Sequence, residues 1–181
     1  MTRVLLIEAG QASGERKELL DQIKNTFGAV PAMFRATANS PAALKSMFGS
    51  FGALGNGSLP TKLGELIAIA IANRNSCEYC LAAHAALGRK AGASATEIAD
   101  AQIGRSGDPR TAAALTFALK LVNERGQVSD TDVATLRTVG FDDEGIVELI
   151  AHVALNLFTN YVNVALDVPV DFPVVKLRNA A

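Results

Sequence analysis

Apolar residues recur at spacings of three and four along most of this chain, whereas the strict alternation that marks a half-buried strand is scarce. The pattern predicts an all-α protein. Near the start, "GERKELLDQIKNTFG" puts Leu19, Leu20, Ile23 and Phe27 on one side of an amphipathic helix. Pro31 and Pro41 stand where helices can begin, the second behind Ser40 as an N-cap, and Leu44, Met47, Phe48 and Phe51 continue that second helix. After the break "GNGSLP", Pro60 and Thr61 open a helix through "KLGELIAIAIANRN", and another runs through "CEYCLAAHAALGRKAG" to Gly92. Arg89 and Lys90 at its end suit the negative pole of the helix dipole. Ser94 with Glu97 has the form of a capping box, Asp108 and Pro109 open the next helix, and Ser129 opens another that Gly140 closes. Asp142 then begins the long apolar segment "DEGIVELIAHVALNLFTNYVNVALDV", after which the proline-containing tail cannot continue as helix. The expected organisation is a flexible lead-in over 1–14 and a single helical domain over 15–181.

Composition sharpens this picture. A chain of 181 residues can bury one sizeable core and needs no second domain. With 49% hydrophobic and 19% charged residues and a mean hydropathy of +0.22, part of the surface is expected to be covered by other subunits. Seventeen basic residues against 18 acidic, a pI near 6.1 and no basic run longer than a pair argue against a nucleic-acid partner. The start "MTRVLLIEAG" holds too short an apolar run for a signal peptide, so a cytoplasmic location is expected. The two longest apolar stretches are broken by Glu65 and Asn73, and by His152, Asn156, Asn160 and Asn163, which disfavours a membrane span.

Candidate chemistry concentrates in "NSCEYCLAAHAALGRKAG", which holds both cysteines and one of the two histidines. In a reducing compartment such a pair is catalytic, redox-sensing or metal-binding rather than a stabilising cross-link. On a helix, Cys77, Cys80 and His84 lie along one stripe. The turn at Asn75 and Ser76 is so short that the flanking helices form an antiparallel hairpin, in which residues whose numbers sum to roughly 150 face each other. That places Glu65, the acidic interruption of an apolar helix, opposite His84. An imidazole accepting the Cys80 proton would yield the reactive thiolate, a carboxylate behind it would fix its tautomer, and Cys77 lies within disulfide reach as the resolving thiol. A zinc site would have to recruit His152 from a distant helix, and a thioredoxin-like reading lacks the strand it needs before the motif. An inert buried helix is the plainest alternative.

Glu65, then eleven residues, then Cys77-Glu78-Tyr79-Cys80, then three residues and His84, resembles the AhpD-like alkylhydroperoxidases of the carboxymuconolactone decarboxylase family. The helical order from Pro31 to Asp167 is compatible with that family. The resemblance implies an AhpD-like helical bundle that assembles as a homotrimer or homohexamer. It also implies a dithiol that reduces peroxides, with Cys80 peroxidatic, Cys77 resolving, and Glu65 and His84 as the proton relay. An external dithiol of lipoyl or thioredoxin type would restore the pair, and neither cofactor nor metal is implied. The founding enzymes carry a histidine directly before the second cysteine, where this chain has Tyr79. A phenol with a pKa near 10 can donate a hydrogen bond but shuttles protons poorly at neutral pH.

The expected function is therefore thiol-dependent reduction of an alkyl hydroperoxide or hydrogen peroxide in antioxidant defence. The competing expectations are a redox-sensing oligomer without turnover, a metal-binding module, and a non-peroxidase enzyme of the same fold. The polar stripe His152, Asn156, Asn160 and Asn163 reads either as satisfied polar groups between helices or as a pocket floor. Phe48 and Phe51 read as core, or as a cover over the thiols.

Overall fold

The computed structural model describes residues 2–178. Met1 of the lead-in and Asn179, Ala180 and Ala181 of the tail lie outside the described residues. Among the described residues the regular structure is entirely helical. After a 3-10 turn at Ala9–Gln11 come α1 (Gly14–Phe27), α2 (Ala32–Thr37), α3 (Pro41–Leu54), α4 (Thr61–Arg74) and α5 (Glu78–Lys90). They are followed by α6 (Ala95–Gln102), α7 (Pro109–Asn123), α8 (Asp130–Thr138) and α9 (Asp143–Leu166). The starts follow the sequence signals. Ser40, Ser94, Asp108, Ser129 and Asp142 each accept a hydrogen bond from a backbone N–H of the first turn, and Ser94 with Glu97 closes a full capping box.

Helix α4 occupies the centre. Residues 66–73 are all buried, so the helix is apolar around its whole circumference and packs against α5, α6, α7 and α9 together. Ile67, Ile69 and Ile71 have no exposed surface, and truncating any of them to alanine should cost about 2–5 kcal/mol. Glu65 is the one acidic residue of this helix, and the structure places it at the α5 side, against His84. The hairpin into α5 turns through Ser76 in the left-handed region at φ 55°. Gly88 of α5 faces α4, where an added Cβ would already touch Ile69 and Glu65.

Helix α9 is long and apolar enough to cross a membrane by length and composition alone, and a third of its most apolar window is buried. One side packs on α3, α4 and α7. Its opposite side exposes Val147, Ile150, Ala154, Tyr161 and Val164, with Leu157 half-buried between them.

The described parts of the lead-in and the tail are tied to the helices. The lead-in, expected to be flexible, is bonded along its length: Arg3 N–H donates to Leu166 O at 2.8 Å, Ile7 N–H to Arg35 O at 3.0 Å, and Asn39 Nδ2 to Leu5 O at 2.8 Å. Glu8 adds an ion pair with Arg35. The reason is that the backbone donors and acceptors around α2 and the end of α9 need partners, which the extended lead-in supplies. The tail beyond α9 is likewise extended. Asn73 grips its end through two bonds, Nδ2 to Arg178 O at 2.8 Å and Arg178 N–H to Oδ1 at 2.9 Å, and Gln102 donates to Lys176 O at 2.9 Å. Asn73 and Gln102 are both buried, so the tail is fastened by polar groups set into the core.

Candidate active site

Cys77 is the N-cap of α5, and its sulfur accepts a hydrogen bond from the Cys80 N–H at 3.3 Å. The two cysteines are joined as a disulfide, with Cα atoms 5.4 Å apart. This spacing follows from the first turn of the helix, which brings residues three apart onto one face. One turn further on, His84 Nδ1 lies 2.8 Å from Glu65 Oε2, the pairing that the hairpin arithmetic anticipates. The side chains are only 13% and 18% exposed, so the pair is shielded from bulk water. With Nδ1 engaged by the carboxylate, Nε2 is the ring nitrogen left to exchange a proton.

Cys80 and His84 open onto the same cavity of about 490 Å³, whereas Cys77 does not line it. Its walls are largely apolar: Phe27, Val30, Met33, Phe34, Phe51, Leu87 and Phe172. Phe34 anchors this wall, with Phe27 tilted against it at 5.5 Å and Phe48 and Phe51 edge-on at 6.3 and 5.8 Å. Phe51 reaches the cavity and Phe48 stays behind it in the packing.

Tyr79 points away from the relay. Its hydroxyl donates to Asp171 Oδ2 at 3.0 Å and accepts from the Met33 N–H at 3.3 Å. Phe172 meets the ring edge-on at 5.6 Å. Burial, seconded by the Asp171 carboxylate, pushes the phenol well above its ordinary pKa, so it stays neutral. Tyr79 is thus a hydrogen-bond donor, as the sequence reading has it, but its acceptor is the tail. Asp171 also accepts the Ala32 N–H, and together these bonds hold the tail as one wall of the cavity.

The asparagine stripe of α9 divides between its two readings. Asn156 bonds back to His152 O, and Asn160 receives Asn75 Nδ2 at 3.0 Å, tying α9 to the hairpin turn. Asn163 instead lines the cavity, with Thr159 one turn before it, and donates from Nδ2 to Cys80 Sγ at 3.2 Å. Its Oδ1 is buried without a hydrogen-bond partner. His152 sits beside Gly64, whose missing side chain leaves the imidazole room against α4. Burial lowers its pKa, opposed by the charges of Glu148 and Glu65. Among the described residues no group of three or more His, Cys, Asp and Glu side chains converges as a metal centre.

Sequence reasoning missed Asp171, Phe172 and Met33, because no local pattern marks a tail that folds back over a helix. Asn163 was visible as part of a stripe, but its pairing with a residue 83 positions earlier was not.

The carboxymuconolactone decarboxylase family model matches residues 41–124, the segment from α3 through α7 that contains the whole hairpin. That segment, just under half of the chain, is similar to this family. No curated protein matches it. Among solved structures it is similar to a peroxidase-related protein from Ralstonia eutropha JMP134, described as an alkylhydroperoxidase AhpD core. That likeness has 26% identity and a TM-score of 0.83 over 94% of this chain and 92% of the other. A peroxidase-related protein from Silicibacter sp. TM1040 shares the fold at 23% identity and a TM-score of 0.78, over 93% and 91% of the two chains. The debrominase Bmp8, solved with 2,3,4-tribromopyrrole, shares it at 18% and 0.77, over 94% of each chain. The AhpD-like helical fold and the cysteine pair at disulfide distance are therefore common ground between the sequence reading and the structure.

Proposed function

We propose that this AhpD-like chain is a thiol-dependent peroxidase. The observation that carries the reading is that Cys80, disulfide-bonded to Cys77, and His84, backed by Glu65, open side by side onto one apolar cavity. In the reduced protein His84 takes the Cys80 proton. The thiolate attacks the terminal oxygen of R–O–O–H, forming an S–O bond as the O–O bond breaks. The alkoxide leaves and recovers the proton from the His84 imidazolium, and the sulfur, oxidised by two electrons, is a sulfenic acid. Cys77 displaces water from it to close the disulfide, and an external dithiol, of lipoyl or thioredoxin type, reduces that bond by exchange. The apolar walls favour an organic hydroperoxide over hydrogen peroxide.

Assembly as a homotrimer or homohexamer in the cytoplasm belongs to the same proposal. Its support is α9, where Val147, Ile150, Ala154, Leu157, Tyr161 and Val164 follow one another at three, four, three, four and three residues. That is the seam by which helices pair, here left open to solvent.

The test is stopped-flow mixing of reduced protein with cumene hydroperoxide and hydrogen peroxide, with turnover followed on a panel of dithiols. Cys80→Ser should abolish the fast phase, and Cys77→Ser should leave one turnover that ends in sulfenic acid. A fast phase that survives Cys80→Ser would overturn the assignment of the attacking sulfur. A thiolate titration of Cys80 unmoved by His84→Ala would remove the relay.

A further inference from the structure

We propose that Asn163 is a catalytic residue of this site: its Nδ2 holds the Cys80 sulfur as thiolate, and its Oδ1 receives the O–H of the incoming hydroperoxide. The second half rests on the peroxidase reading, and the first does not.

Three observations on one side chain carry the inference. Asn163 is buried, with 3% of its surface exposed. Nδ2 donates to Cys80 Sγ at 3.2 Å. Oδ1 has no hydrogen-bond partner although it is buried, and the residue lines the cavity into which Cys80 opens. A buried amide oxygen left unpaired costs about 1–3 kcal/mol, so a side chain chosen only for packing would not be an asparagine here. The neighbouring polar residues of the stripe are not bonded to it: Asn156 bonds within α9, and Asn160 accepts from Asn75 while its buried Nδ2 makes no hydrogen bond.

The chemistry fits both ends of the amide. A hydrogen bond to the charged form of an acid stabilises that form and lowers its pKa, so an N–H aimed at Sγ favours thiolate over thiol. No other donor among the described residues bonds this sulfur, and the helix N–H of Cys80 serves Cys77. A hydroperoxide approaching Cys80 brings its terminal O–H beside the sulfur it will join. That hydrogen stays on its oxygen and passes into the sulfenic acid, and Oδ1, in the same amide that bonds the sulfur, accepts a hydrogen bond from it while the O–O bond breaks. One planar group thus orients nucleophile and electrophile together, which is how positioning lowers a barrier. The electron balance is that of the peroxidase step above, with no further reactant.

The experiment uses the Cys77→Ser chain, so that Cys80 is the single thiol, and compares Asn163, Asn163→Asp and Asn163→Leu. First, the rate of alkylation by iodoacetamide is followed against pH. Both substitutions should raise the Cys80 pKa, by about one to two units for leucine from the lost bond to a charged group, and by more for aspartate, which keeps the shape but adds a negative charge. An unchanged pKa in Asn163→Asp, with folding verified by circular dichroism, would overturn the donor role. Second, at a pH above every measured pKa, the rates with cumene hydroperoxide and with methyl methanethiosulfonate, which offers no donor, are compared. Asn163→Leu should lose at least tenfold against the hydroperoxide and little against the thiosulfonate. Equal losses, or none, would overturn the acceptor role. If the unsubstituted protein ignores hydroperoxide while its thiol pKa still depends on Asn163, the peroxidase reading and the acceptor role fall and the donor role stands.

Discussion

Replacing Tyr79 by phenylalanine separates two jobs that the residue before the second cysteine can perform. The phenol of Tyr79 makes two hydrogen bonds, donating to Asp171 and accepting from Met33 N–H, and neither partner is a thiol. Tyr79→Phe removes both and leaves the Met33 N–H, in a 7%-exposed residue, without its acceptor. A net hydrogen bond is worth about 0.5–1.5 kcal/mol and a stranded buried donor about 1–3 kcal/mol. Asp171 is exposed and keeps the Ala32 N–H, so its loss belongs at the low end. The expected cost is about 1–3 kcal/mol, or a fall in Tm on the order of 5 °C for a chain of this size. Urea titration gives the first quantity and calorimetry the second. Alkylation of Cys80 against pH, in the Cys77→Ser background, should be unmoved, because a neutral phenol directed at the tail does not share the thiol proton. A variant of unchanged stability with a displaced Cys80 pKa would refute this account and place Tyr79 in the relay.

The remaining predictions concern other parts of the fold. His152 has its pKa lowered by burial, so the unfolded chain binds its proton first. Stability should therefore begin to fall as pH drops below about 6.5 and should fall less steeply in His152→Gln, read as urea midpoints from pH 8 to 5. Glu97 and Asp132, the capping carboxylates of α6 and α8, are drawn down to about 2 by their lysine partners Lys62 and Lys120 and the serine N–H groups. Their contribution is present above the ordinary carboxylate range and is lost as pH falls toward 2, so Glu97→Gln and Asp132→Asn should flatten the acid limb of a denaturation profile. Ile150→Glu with Tyr161→Glu places charges on the open seam of α9, and sedimentation should find a smaller species than the parent chain with the same helicity. An unchanged mass would show that the seam is not the subunit contact. Asn73→Ala removes two bonds to Arg178 and should release the end of the tail, raising hydrogen exchange there before elsewhere.

Much of the hairpin was legible because its information is local. Helical spacing alone aligns Cys77, Cys80 and His84, and a three-residue connection leaves little freedom in how α4 and α5 face each other. The pairing of Glu65 with His84 at 2.8 Å is a consequence of that register. The helix starts were legible for the same reason, since a capping serine or aspartate acts on N–H groups within three residues. The lead-in and tail were not. Their conformation comes from partners far along the chain, Arg3 with Leu166 and Asn73 with Arg178, and no short pattern records such pairs.

The division is clearest at the cysteine pair. Its dithiol, its histidine and the carboxylate behind the histidine are written in residue order, because one hairpin contains them all. What surrounds Cys80 is assembled from five separate segments: α1, α2 and α3 supply aromatic walls, α9 supplies Asn163, and the tail supplies Asp171 and Phe172. Tyr79 shows the difference in a single residue, its identity read from the chain and its direction decided by a carboxylate 92 positions away. Backbone geometry over a few residues is set by sterics and capping, whereas the environment of a sulfur atom is set by whichever side chains the packed core brings within bonding distance.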